Sequence, residues 1–253
     1  VDIGNLFNRL AYAVKYQELN FLLSDRVGGD SKVLYDRDPR ERVEKVAPWL
    51  TTDSKTYPAV MADGSIKWIV DGYTTSARYP DSRMTDLGAA TADSVTESSR
   101  FVRAGEGRVN YMRNSVKATV DAYDGTVKLY TWDESDPIVS AWDKAFPGLI
   151  TPRSEISGEL MSHLRYPEDL FRMQRAVLAD YHVTSAADFR AGQDRWRVPD
   201  DPSRGDDGVA QPPYFLSLAM PDQREPVWSL TSTYIPRGTR NVMAGYLSAD
   251  GDA

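Results

Sequence analysis

The chain contains no cysteine. Disulfides, thiol nucleophiles and cysteine-based zinc sites are excluded together. It has two histidines, His163 and His182, too far apart in sequence for a metal-binding pair. No apolar run approaches the ~18 residues needed to span a membrane. No basic and apolar leader ending in small residues opens the chain. Positive charge is in deficit, with 30 Lys and Arg against 37 Asp and Glu and a net charge of −7. A nucleic-acid partner calls for a basic patch, so none is expected. The phosphate-binding patterns G-x-x-x-x-G-K-[ST] and G-x-G-x-x-G are missing, and GEG at 105–107 has no helical pattern after it. The G-x-S-x-G nucleophile elbow is missing too. No catalytic residue, metal ligand or cofactor is expected from these absences.

What is present is strand and turn chemistry. Residues 114–133, NSVKATVDAYDGTVKLYTWD, alternate apolar and polar residues on both sides of Asp124-Gly125. A two-residue type I′ turn there, with both central residues at positive φ, pairs Ala122 with Val127, Val120 with Leu129 and Ala118 with Thr131. The opposite face pairs Asp121 with Lys128, Thr119 with Tyr130 and Lys117 with Trp132. One face is then dry and one wet. Residues 57–73, YPAVMADGSIKWIVDGY, repeat the design around Asp63-Gly64, with Met61 opposite Ile66 and Ala59 opposite Trp68.

Helical signals surround these hairpins. Residues 4–23 place Phe7, Leu10, Val14 and Phe21 on one helical face. Asp38-Pro39 starts a second helix, with Glu41 in capping-box position and paired i,i+4 to Lys45. Asp136-Pro137 starts another, followed by Ile138, Val139, Trp142 and Phe146. Residues 155–164 read as a short helix. Pro167 opens a longer one whose inner side is expected to carry Leu170, Phe171, Gln174, Val177, Leu178 and Tyr181. A capped turn follows at 185–192. Residues 214–220 and 226–236 form a third strand pair, and 241–249 one more strand. Two stretches, 76–107 and 199–213, read as surface loops, with a short helix near 91–100. In the first, Tyr73 and Tyr79 are expected to anchor its start, with Met84, Leu87, Val95, Phe101 and Val102 as sparse pins. Proteolysis is expected between Ser82 and Gly107 before anywhere else.

The order is helices, strands, helices, strands, with hairpins rather than βαβ units. The fold class is therefore α+β, with antiparallel hairpins packed against helices and a helical N-terminal segment. At 253 residues the length fits one large domain or two small ones. The expectation is a single domain over 1–253, with helical subregions at 1–50 and 136–192. A start at Val1 without Met, and a stop at SADGDA after a strand-like run, lead to the expectation of a domain excised from a longer protein.

Candidate chemistry rests on carboxylates, since a general-acid pair needs two held close across a cleft. Asp71, Glu168 and Asp169 lie beside aromatic and Arg residues. HLRYPEDLF (163–171) groups Arg165 and Tyr166 with these acids around a helix start, where a bland capping role competes with a binding role. Asp71, Tyr73, Arg165, Tyr166, Glu168 and Asp169 are the binding candidates. The acidic loop at 200–208 lacks EF-hand spacing and reads as solvated.

LYDRDPRERVEKVAPWL, YPAVMADGSIKWIVDGYTTSARYP, NYMRNSVKATVDAYDGTVKLYTWDESDP, AFPG and HLRYPEDLFRMQR together resemble uncharacterised protein family 0182. The likeness runs from about Leu34 to about Arg240, and several of its motifs are long and unusual. These are large bacterial membrane proteins with several spans followed by a large soluble region outside the cytoplasm. The resemblance implies that this chain is part of that region, on the extracytoplasmic side of the cell membrane. Its implied partners are its own transmembrane region and other envelope proteins. The family brings no catalytic residues to carry over. The leading expectation is a non-catalytic binding or interaction domain. The alternative is a cell-envelope hydrolase using paired carboxylates. VDAYDGTVKLY also resembles the strand-turn-strand of PepSY-type, peptidase-modulating modules, a minor alternative.

Overall fold

The computed structural model describes residues 2–33, 35–94, 107–204, 208–221, 223–238 and 240–252. Helices α1 (Leu6–Tyr16), α2 (Asn20–Leu23) and α3 (Pro39–Val46) come first, then strands β1 (Thr51–Val60) and β2 (Ile66–Ser76). An excursion carries β3 (Thr85–Asp86), α4 (Leu87–Ala90) and β4 (Arg108–Val109). Next are β5 (Tyr111–Asp121), β6 (Val127–Thr131), α5 (Pro137–Ala145), β7 (Ile150–Thr151), α6 (Gly158–Met161), α7 (Glu168–Tyr181) and α8 (Ala186–Ala191). The chain closes with β8 (Trp196–Arg197), β9 (Tyr214–Leu218), β10 (Val227–Pro236) and β11 (Gly245–Asp250). The fold class is α+β.

The main sheet runs β1-β2-β5-β6-β7, antiparallel except for the short β6–β7 pair. A second sheet is built on β10, with β9 and β11 on its two sides and β8 at its end. Both proline-started helices are capped as their sequences require. Asp38 accepts from the Arg40 N–H at 2.8 Å and Asp136 from the Ile138 N–H at 2.9 Å. Lys45 pairs with Asp36 at 2.5 Å rather than with Glu41.

Both hairpins exist, and both turns differ from expectation for one reason. Gly64 (φ 80°) and Gly125 (φ 75°) are at positive φ, while Asp63 and Asp124 are not. Each turn is longer than two residues and uses glycine alone in the left-handed position. In the first, the Met61 N–H donates to Ser65 O, leaving a three-residue loop. Its register moves by one, with Ala59 opposite Lys67 and Pro58 opposite Trp68. A one-residue slip exchanges faces, so Ala59, Met61 and Ile69 share one core while Trp68 and Val70 join the other. In the second, the Asp121 N–H donates to Thr126 O, and Val120 lies opposite Val127 and Lys117 opposite Tyr130. That shift of two preserves the faces.

The face expected to be wet is also covered. On one side, Val116, Ala118, Val120 and Leu129 pack with Val43 of α3, with Ala47 just past its end and with Val139 of α5. On the other, Ile69 and Tyr130 pack with Ile156, Leu160 and Leu164. Lys117 is therefore buried, and Asp121 pairs with Lys67 of β2 at 2.7 Å instead of Lys128.

The N-terminal helix also departs from expectation. Gln17 at φ 53° breaks it into α1 and α2, and Phe7 (78 % exposed), Leu10 and Val14 face outward. Among the described residues of 76–107, Leu87, Thr91 and Asp93 are buried, so the expected pin at Leu87 is joined by two polar ones. Tyr73 is fully buried, and Tyr79 stacks on Tyr111 with ring centroids 5.6 Å apart. Val95, Phe101, Val102, most of the expected 91–100 helix and residues 95–106 of the cleavage window lie outside the described residues.

Arg42 holds the second turn. It donates to Gly125 O at 3.0 Å, Asp36 O at 2.6 Å and Tyr35 O at 3.1 Å. A Cβ on residue 125 would sit 2.1 Å from Arg42 Nη1. Gly125→Val is therefore expected to cost more than ~1 kcal/mol, from left-handed strain and the displaced guanidinium. A thermal melt checks this, and an unchanged Tm contradicts it.

Candidate functional site

Helix α7 is turned away from the orientation its apolar stripe predicts. Its buried residues are Asp169, Phe171, Arg172, Met173, Arg175 and Asp180. The expected inner residues Val177 (38 % exposed), Leu178 (36 %) and Tyr181 (51 %) face outward, as does Gln174. An apolar helical stripe normally faces the core because burial removes that area from water. Here the charged face is buried instead, because β1, β2 and the Asp93 segment supply its partners.

These partners form one buried network. Arg172 meets Asp93 at 3.2 Å, Asp169 at 3.1 Å and Glu168 at 2.9 Å. Arg175 meets Asp93 at 2.6 Å. Asp169 accepts from the Ser54 N–H at 2.7 Å and the Ser54 hydroxyl at 2.9 Å. Pro167, at the N-cap position, offers no side-chain cap. Two sheet residues cap the helix in its place. Asp53 accepts from the Asp169 N–H at 3.0 Å, and the Tyr73 hydroxyl accepts from the Leu170 N–H at 3.3 Å while donating to Asp53. Burial, then the nearby Asp53 carboxylate, raises the Asp169 carboxyl to about 7. Burial drives the Tyr73 phenol well up, and Asp53 and Asp169 add to the shift.

A second buried pair lies beside it. Lys117 meets Asp71 at 2.5 Å and donates to Arg165 O at 2.8 Å. Burial raises the Asp71 carboxyl, with Lys117 pulling the other way. Asn114 donates to Asp71 at 3.2 Å, while its own Oδ1 has no donor.

Two adjoining hollows of about 720 and 620 Å³ form a cleft between β5, α7 and β11. They share Met112, Leu170 and Gln174. The first is bordered by Arg113, Asn114, Lys117, Trp132, Asp250 and Asp252. The second lies over Val177, Leu178 and Tyr181 of α7, with Val109 and Leu247. The outward stripe of α7 is thus the apolar floor of a cleft. Its cations are engaged: Arg113 pairs with Asp133 at 3.1 Å, and Arg153 lies 4.1 Å above the Trp132 ring. Glu134, Asp250 and Asp252 line it with no ion-pair partner among the described residues. No three His, Asp or Glu among the described residues group as metal ligands.

Five of the six candidates divide between network and cleft, and Arg165 stands outside both. Asp71, Tyr73, Glu168 and Asp169 serve the buried ion pairs and the helix cap. Tyr166 lines the cleft, donating to Gln174 Oε1 at 2.6 Å. Arg165 is exposed, 4.6 Å above the Tyr57 ring and 5.1 Å from that of Trp228. Sequence reasoning missed Asp53, Asp93, Lys117, Arg172 and Arg175. A usable signal was a lone Lys in the apolar run NSVKATV. A charge in a strand buried on both faces needs a buried counter-charge.

The family model described as Uncharacterised protein family (UPF0182) matches residues 1–253. A UPF0182 protein of Bifidobacterium longum is 57 % identical over 259 residues, covering 100 % of this chain and 24 % of the relative. One from an Arthrobacter species is 56 % identical over 256 residues, covering 100 % and 25 %. One from Thermobifida fusca is 54 % identical over 254 residues, again covering 100 % and 25 %. The chain thus spans about a quarter of the length of the curated relatives it matches. No solved structure matches it.

Proposed function

Because the chain belongs to the uncharacterised protein family UPF0182, we propose that it is a non-catalytic binding domain of a larger membrane protein, on the extracytoplasmic side. The observation that carries this is the fate of the carboxylates. Asp71, Asp53, Asp169 and Glu168 are consumed by Lys117, by the α7 N-terminus and by Arg172. Neither Asp53 nor Asp169 lines the cleft. An acid raised to about 7 beside another carboxylate is the arrangement acid–base catalysis uses, and that favours the hydrolase alternative. Catalysis also needs contact with substrate, which the burial of this pair denies. What the cleft offers is apolar surface beside free acids, a surface for holding a partner.

The location rests on the resemblance of the motifs. Among the described residues no helix is long and apolar enough to cross a membrane, so in this reading the spans lie in the rest of the relatives' length. The test has two arms. The purified chain is expected to turn over no chromogenic peptidase, glycosidase or phosphatase substrate. Activity abolished by Asp71→Asn or Glu168→Gln would overturn the reading. Tyr123 is 96 % exposed in a cysteine-free chain. Tyr123→Cys in the full-length protein is expected to react with a membrane-impermeant maleimide on intact cells, and protection until lysis would refute the location.

A further inference from the structure

β11 presents an open edge to the cleft. The Gly251 N–H donates to Trp228 O at 2.6 Å, which fixes the alternation along the β10–β11 ladder. Gly245, Leu247 and Ala249 exchange hydrogen bonds with β10, so Tyr246, Ser248 and Asp250 point their N–H and C=O groups outward. No described residue pairs with that side along β11 itself; just past its end the Tyr166 N–H donates to Gly251 O at 2.8 Å and Asp252 bridges to Arg165. Across the cleft, Tyr111–Asn114 of β5 pair with β2 only, because the β6 ladder starts at Val116. The cleft therefore runs between two strand borders that each lack a neighbour. β1 and β9 are edges as well, but neither lines it.

We propose that the cleft takes an extended peptide that adds to β11 as a further strand. Unpaired main-chain groups supply the hydrogen bonds in such additions, and hollows beside the edge select alternate side chains. Along β11, Leu247 and Asp250 fall on opposite faces because strand side chains alternate. One face of the incoming strand meets the apolar floor of Val177 and Leu178, and wants an apolar side chain. The other runs beside Asp250, with Asp252 and Glu134 close by, and wants Lys or Arg. An anionic ligand is disfavoured, because Lys117 and Arg113 already carry carboxylates. The occupant is a basic, alternating segment of polypeptide.

This inference rests on the binding-domain reading, and its test separates the two. The probe is a fluorescein-labelled, acetylated decapeptide of alternating Val and Lys, followed by anisotropy with the 253-residue chain. Saturable binding is expected, with at least about a tenfold loss when Glu replaces Lys. No saturation is expected when alternate backbone nitrogens are methylated. Ser248→Pro removes one outward N–H where an edge strand tolerates proline. It is expected to weaken binding by at least about tenfold with little change in Tm. The pair Asp250→Asn and Asp252→Asn should bring the Lys and Glu peptides to within about threefold. Equal binding of the methylated probe, or binding by no probe, overturns the strand addition and leaves the binding-domain reading to its own assay. Cleavage of the Lys peptide, seen by mass spectrometry, overturns that reading instead.

Discussion

Arg172→Met is expected to destabilise the fold by about 3–5 kcal/mol, the range for removing one partner from a buried ion pair. Arg172 is 1 % exposed and faces Asp93, Asp169 and Glu168. Methionine fills much of its volume, so the loss comes from acids left without a counter-charge rather than from a cavity. Asp93 keeps Arg175, which caps the damage there. Asp169 loses its only cation among the described residues and keeps Ser54. For a chain of this size the loss corresponds to a fall in Tm of roughly 6–20 °C. Arg172→Lys retains one charge but not the planar fork that serves three carboxylates at once, so it should fall between the two. A Tm for Arg172→Met within a degree of the parent would show that the network contributes nothing.

The second large effect is one of pH. The Asp169 carboxyl sits near 7 in the folded chain against an ordinary value of 3.8. The folded state therefore holds this proton more tightly than the unfolded state. Stability from this group is full below about pH 4, falls as pH rises towards 7, and is lost above 7. Asp169→Asn has no proton to lose, so whatever fixed cost its amide brings is the same at every pH. The stability of Asp169→Asn relative to the parent should rise between pH 5 and pH 8, by an amount on the order of 1–4 kcal/mol at about 1.4 kcal/mol per pKa unit. Denaturant midpoints at the two pH values measure it. A difference that stays flat, or moves against the variant, would show that Asp169 is ionised throughout.

Local signals in the sequence survived where the structure is local. Asp38-Pro39 and Asp136-Pro137 start helices because an N-cap acceptor and a proline at the first helical position act within one turn. The hairpins could be found because glycine at positive φ needs no distant partner, although the residues between the strands set the register. The orientation of α7 was not legible. Its stripe of Leu170, Phe171, Gln174, Val177, Leu178 and Tyr181 has good helical spacing, yet of these Phe171 alone is buried, and spacing alone cannot say which face has partners. Those partners, Asp53, Ser54 and Asp93, come from two other segments. The cleft was hidden for the same reason, since its floor consists of the residues that periodicity assigns to a core. Local consistency tends to fail where a protein reserves a surface for use.

The connectivity of the buried charges also has a kinetic consequence. Asp53 and Asp169 are 116 positions apart, and Asp93 and Arg175 are 82 apart. Contacts across such separations require large loops to close first, so they are slow to form and come late on the way to the native state. Groups that engage after the rate-limiting barrier have little influence on how fast a chain folds and a strong one on how long it stays folded. The α7 network thus acts as a latch. In a chevron experiment Arg172→Met should steepen escape from the folded state while leaving the refolding arm almost unmoved. The residence time of the folded domain, rather than its speed of assembly, is what Arg172 sets.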